Sequence, residues 1–167
     1  MEDIAAAAGL AKGTLYLYFK NKEDLFYAIC DHNLEELRNQ LYRLFNRKEN
    51  ILLDAKKFYD EYQRGSLGSD TIWFEMIALS TRSPKLRKIL TENQIKVYQV
   101  VKEFLKTQIE RGFLRQDINV DIFASALIAL YNGLAVNKLL LQTSNAETQK
   151  AWIETIRALI GTGTARQ

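Results

Sequence analysis

Pro84 is the only proline in 167 residues. A chain of this length with a single helix breaker, few alternating β-branched runs and apolar side chains three and four apart can be helical almost throughout. No segment reads as a strand, so the expected fold class is all-α. With 47% hydrophobic and 26% charged residues, the chain can bury a sizeable core, as one domain or as a small head on a larger body.

Turn and cap signals divide the chain. A small-residue helix around Ile4, Ala5, Ala6 and Ala7 breaks at Gly9, and a second short helix runs on to Tyr18. Asn21 is a good N-cap, with Asp24 three residues on. The helix it starts keeps an apolar stripe through Leu25, Phe26, Ile29, Leu34, Leu37, Leu41, Leu44 and Phe45, before the polar break at 46–50. Further helices are expected over 51–64, 71–81, 84–111, 122–141 and 146–160, with Asp70, Ser83 and Asp121 or a neighbour as caps and Gly112 as a stop. The head and body therefore divide inside the long helix or just after it, as 1–46 and 47–167.

The formal charge of +3, from 23 basic and 20 acidic residues, is too slight to indicate a nucleic-acid partner by itself. A lone cysteine, Cys30, excludes an intramolecular disulfide and a multi-cysteine metal site; it reads as a small buried hydrophobe in a reducing cytoplasm. No apolar run approaches the ~20 residues that cross a bilayer, and Met1-Glu2-Asp3 lacks the basic start of a signal peptide. The expectation is a soluble protein with no membrane partner. His32, the only histidine, sits beside Asp31, Glu35 and Glu36 with nothing to complete a metal site. There is no glycine-rich phosphate loop, G-x-S-x-G or H-E-x-x-H, so neither catalysis nor a cofactor is expected.

Charge is concentrated at one place. Between Leu10 and Lys22 stand Lys12, Lys20 and Lys22 with no acid, although residues 1–48 balance at seven basic and seven acidic. Thr14, Tyr16 and Tyr18 can hydrogen-bond phosphates or base edges, and Gly13 leaves the backbone open to close approach. Leu15 and Phe19, four apart, point inward. This is the build of a helix-turn-helix DNA reader. The alternative is that Tyr16 and Tyr18 are partly buried aromatics and the lysines merely solvate a surface.

In the body, Phe58, Tyr59, Tyr62, Trp73, Phe74, Tyr98, Phe104, Phe113, Phe123, Tyr131 and Trp152 can all serve as plain core. The last two helices carry apolar stripes suited to close helix packing: Ile122, Ala126, Ala129, Leu130, Gly133, Leu134 and Leu140 on one, and Trp152, Ile156, Leu159 and Ile160 on the other. They offer a homodimer interface, the alternative being that both stripes face inward.

Ile4-Ala5, then Ala8-Gly9-Leu10-Ala11-Lys12-Gly13-Thr14-Leu15-Tyr16, Tyr18-Phe19 and Asn21-Lys22-Glu23-Asp24-Leu25 together resemble the signature of TetR-family transcriptional regulators. Arg111 to Asp117 before an apolar helix with Asn132-Gly133-Leu134 resembles the family too. The resemblance implies a helix-turn-helix head joined by a long helix to an all-helical ligand-binding and dimerisation body. It puts Lys12, Gly13, Thr14, Tyr16, Leu17 and Tyr18 at recognition-helix positions and Lys22 at a phosphate-binding position. It also implies a small-molecule cavity among the body helices, for which Phe58, Tyr62, Trp73, Met76, Ile77, Gln94, Tyr98, Val101, Tyr131 and Asn132 are the expected lining. A further helix is expected before Ile4-Ala5, to pack on both helices of the reader. The implied function is a ligand-responsive repressor that leaves double-stranded operator DNA when a largely apolar effector binds; the alternative is a helical small-molecule-binding dimer that does not bind DNA.

Overall fold

The computed structural model describes residues 1–45, 50–65 and 69–159, side chains 62–71 and 159 excepted. It is all-helical over those residues: α1 (Glu2–Ala7), α2 (Lys12–Tyr18), α3 (Lys22–Phe45), α4 (Ile51–Gly65), α5 (Ser69–Ser80), α6 (Pro84–Glu110), α7 (Val120–Leu141) and α8 (Asn145–Leu159).

The boundaries follow local chemistry. Gly9 takes φ +65° between α1 and α2, a left-handed conformation that costs glycine little. Asn21 Oδ1 accepts from the Asp24 N–H at 2.8 Å to open α3. Asn50 accepts from Leu52 and Leu53 to open α4. Ser83 Oγ accepts from Leu86, with Pro84 in the first turn of α6, and Gly112 at φ +76° follows its end. The cap of α7 is Asn119, which accepts from the Ile122 N–H at 3.1 Å. Ser144 and Glu147 form a reciprocal capping box at the start of α8, a signal present in the sequence within what reads as a polar loop.

Two hydrophobic clusters form, and α3 belongs to both. In the head, Met1, Ala5 and Leu15 are buried, with Phe19 and Leu25 packed against them; Ala5 has no bulk to hold α1 away from α2. In the body, Leu34, Leu37, Leu41, Leu44 and Phe45 join Ala55, Phe58 and Tyr59 of α4, Val100 and Leu105 of α6, Leu127 of α7 and Trp152 of α8. Helix α3 packs on α4 and α6, α4 on α8, and α7 on α6 and α8. Helices α3 and α6 run in the same direction. Lys85 lies 3.6 Å from Glu23, Lys96 lies 3.2 Å from Asp31, and Arg111 Nη1 donates to the Phe45 carbonyl at 2.5 Å.

Trp152 and Ile156, expected at a dimer interface, are core residues. Trp152 is 7% exposed, packs near Phe58 and Tyr59 and donates its indole N–H to the Ala55 carbonyl at 3.3 Å. Leu134 is likewise buried among α6, α7 and α8. All three belong to the body core cluster. Helix α7 also departs from expectation, being long and apolar enough by length and composition alone to span a bilayer, with few of its residues buried.

Trp152→Ala is expected to destabilise the fold by about 3–5 kcal/mol. Urea denaturation followed by far-ultraviolet circular dichroism at fixed protein concentration checks this, and parental stability would place Trp152 outside the core.

Candidate nucleic-acid interface and ligand cavity

The tip of the head presents side chains that the small head core does not use. Leu15 is buried and Phe19 half-buried, which holds the inner face of α2, while Tyr16 is 45%, Leu17 83% and Tyr18 77% exposed. Two tyrosines and a leucine so open to water do not stabilise the fold, so the reading of Tyr16 and Tyr18 as core aromatics fails. Thr14 is half-buried, and a Cβ added at Gly13 would meet nothing within 4 Å. Lys20 and Lys22 are exposed. Lys22 is the first residue of α3, where the helix dipole adds to its charge.

Lys12 is differently placed. Its amino group pairs with Glu2 on α1, and the hydrogen bond and charge of each hold the Lys12 ammonium above and the Glu2 carboxyl below their ordinary ranges. A phosphate at Lys12 must compete with that carboxylate. Beside Lys22, Glu23 is faced by Lys85 of α6, which offsets one acid close to the basic tip.

The body holds a cavity of about 310 Å³ that is open to solvent on one side, where Ile29, Asn33 and Ile72 of its lining are exposed. Of the residues expected to line it, Phe58, Trp73, Gln94, Val101, Tyr131 and Asn132 do so. Ile77 is 42% exposed on α5, and Met76 beside it also lies outside the cavity lining. Tyr98 faces the start of α7, where its hydroxyl lies 2.9 Å from a carboxylate oxygen of Asp121. The side chain of Tyr62 lies outside the described residues.

The lining that sequence reasoning missed comes chiefly from α3: Phe26, Ile29, Cys30, Asn33, Leu34, Leu37, Leu41 and Phe45. Its apolar periodicity is plain in the sequence, but a stripe does not say whether it meets a neighbouring helix or a cavity. Trp152 and Ile156 of α8 complete the far wall. Cys30 is buried, and burial pushes its thiol up to about 11, as expected of an inert side chain.

On the outside of α7, Ile122, Ala126, Ala129, Gly133 and Leu140 share one face, with Ile122 65% and Leu140 71% exposed. Leu130 beside them is half-buried, and a Cβ on Gly133 would meet open space. The outward face of α8 carries Ala151, Glu154 and Ala158 in place of the buried Trp152 and Ile156. Leu159 and Ile160, also expected there, lie outside the described side chains.

Residues 1–29 match the bacterial regulatory proteins of the tetR family, and residues 67–161 match the C-terminal domain of BetI-type transcriptional repressors. YfiR, an uncharacterised HTH-type transcriptional regulator of Bacillus subtilis strain 168, is 21% identical over 166 residues, covering 93% of this chain and 80% of that protein. Among solved structures, a Rhodococcus sp. protein assigned to the TetR-family regulators has a TM-score of 0.75 at 17% identity, covering 96% of this chain and 86% of its own. Thermus thermophilus FadR, a TetR-family repressor in complex with lauroyl-CoA, has a TM-score of 0.63 at 21% identity, covering 99% and 88%. At these identities the likeness to solved structures is one of fold. The second family match alone spans more than half of the residues and the first covers α1, α2 and the first turns of α3, so the chain belongs to the TetR family of transcriptional regulators: it is a DNA-binding regulator and not an enzyme.

Proposed function

We propose that this chain is a cytoplasmic, ligand-responsive repressor that binds operator DNA as a homodimer and is released by a small, largely apolar effector. One observation carries the reading: α3 is at once a wall of the cavity and the helix that the exposed Lys22 begins. Phe26 lines the cavity, and Lys22 begins the same helix one turn earlier, about 6 Å along the axis. A ligand that displaces α3 at Phe26 and Ile29 displaces the tip with it, and lowers DNA affinity if it binds the two arrangements unequally. The match to BetI-type repressors supports the repressor role, and the acyl-CoA complex of FadR supports an apolar ligand.

In this reading residues 1–46 bind DNA, with Lys12, Gly13, Thr14, Tyr16, Leu17 and Tyr18 at the major groove and Lys22 on a phosphate. Residues 47–167 hold the effector and the partner, and α3 is shared. The dimer face is the α7 row of Ile122, Ala126, Ala129, Gly133 and Leu140, flanked by the Ala151 and Ala158 side of α8. An apolar row this exposed, on a helix already covered along its other side, is what a second copy covers.

Lys22→Ala is expected to weaken binding to DNA from beside the chain's own gene. The slope of log affinity against log salt should fall by about 0.9, the share of one phosphate contact. Fluorescence anisotropy over a salt series measures it; an unchanged slope removes Lys22 from the interface. Absence of any salt-sensitive, sequence-dependent binding by the parent would instead favour a helical ligand-binding dimer that does not bind DNA.

Ala129→Arg should convert a dimer into a monomer without changing the far-ultraviolet spectrum, since Ala129 is exposed in the subunit. Sedimentation equilibrium at micromolar concentration is the measurement, and a monomeric parent would overturn the dimer.

A further inference from the structure

Two stretches of this chain carry several basic residues and no acid. One is 10–22, with Lys12, Lys20 and Lys22; the other is 76–91, with Arg82, Lys85, Arg87 and Lys88. The other 16 basic residues stand against all 20 acidic ones, so the rest of the chain is net negative. The two stretches lie far apart in sequence and close together in the fold. The second comprises the end of α5, the turn at 81–83 and the first turns of α6. Lys85 there comes within 3.6 Å of Glu23, the neighbour of Lys22. Because α3 and α6 run in the same direction, both begin at the end of the body that carries the head.

The turn is ordered by its own side chains. Arg87 donates to the Ser80 and Thr81 carbonyls at 3.2 and 3.0 Å, and Ser83 caps α6. Arg87 is thus spent on the backbone, and Lys88 stands 3.9 Å from Glu92. Arg82 is exposed and pairs with no carboxylate among the described residues, while Lys85 meets Glu23 beyond hydrogen-bond distance. An exposed pair of that kind contributes little to stability, so the fold makes small use of either side chain. Cations gathered at one end repel one another; a polyanion laid across that end relieves the repulsion and releases counterions.

We infer that the body itself contacts DNA: Arg82 and Lys85 hold backbone phosphates beside the one at Lys22, outside the groove that α2 enters. The inference rests on the reading of the head as the DNA reader and extends that interface onto the body. Phosphate contacts fix register and orientation and carry no sequence information, so the two residues add affinity for any duplex. Through them α6, a wall of the cavity, meets the DNA directly as well as through α3.

The test is Arg82→Gln against the parent, and Lys85→Gln made in a Glu23→Gln background and compared with Glu23→Gln alone, so that no acid is left without its partner. Lys106→Gln, exposed at the other end of α6 about 30 Å from Lys85, controls for the loss of net charge. Fluorescence anisotropy over a salt series uses the full chain and two duplexes of equal length, one from beside its own gene and one of random sequence. Arg82→Gln and Lys85→Gln are each expected to weaken binding to both duplexes by the same factor. Each should flatten the slope of log affinity against log salt by about 0.9 per bound subunit, while Lys106→Gln keeps the parental slope. Slopes unchanged by both substitutions, or changed as much by Lys106→Gln, remove the body from the interface and leave the head as the reader. Weakened binding to the own-gene duplex alone overturns the phosphate role. A parent without salt-sensitive binding to either duplex overturns the DNA reading and this inference together.

Discussion

The leucine stripe of α3, Leu34, Leu37, Leu41 and Leu44 closing on Phe45, is the contact on which the position of the head depends. Five apolar side chains on one face of a single helix are buried in the body core, so the second half of α3 cannot shift without opening that core. Its first turns are held more lightly, by Leu25 against a head core of only three buried residues and by exposed polar contacts to α6. A helix fixed at one end and lightly held at the other acts as a lever, and α3, at 24 residues, spans about 36 Å.

The polar contacts between α3 and α6 lie where such a lever would move. Lys96 bridges Tyr27 and Asp31 while stacking over the Tyr27 ring at 5.0 Å, and Lys85 reaches Glu23. These groups are largely solvated, so each pair contributes little to stability. Weak, exposed pairs can exchange at low cost when a ligand changes the spacing of the two helices. Coupling of the usual allosteric size, about 1–3 kcal/mol, then needs no rearrangement of the leucine stripe.

Helix periodicity and caps were legible because they are local: one proline, Asn21, Ser83 and Gly112 mark boundaries through chemistry contained within a turn of chain. The outward face of α2 was legible for the same reason, since Leu15 and Phe19 four apart leave Tyr16, Leu17 and Tyr18 on the outside. What failed was the assignment of apolar faces. Trp152 and Ile156 form a stripe that fits a partner or a core equally well, and only the arrival of Phe58 and Tyr59 from α4, almost a hundred residues earlier, decides between them. The role of α3 as a cavity wall was hidden likewise, because Phe26, Ile29 and Leu37 read as ordinary core until their neighbours across the gap are known.

The strong apolarity of α7 fits this arrangement. A helix with one buried face needs polar residues opposite, yet α7 keeps Ile122, Ala126, Ala129, Gly133 and Leu140 outward, a sequence that by composition alone would suit a bilayer. In the proposed dimer that face meets its own copy, and α7 becomes the fixed frame. Helix α6 packs on α7 along one side and on α3 and α5 along others, so it stands between the frame and the lever. A ligand lodged between α6 and α3 would then act against a backing that the partner holds still, and its displacement would go into α3 and the spacing of the two heads. Since paired readers must match about one turn of DNA, 34–36 Å, or a multiple, a small rotation of α3 at the cavity is enlarged along the helix into a mismatch at the tip.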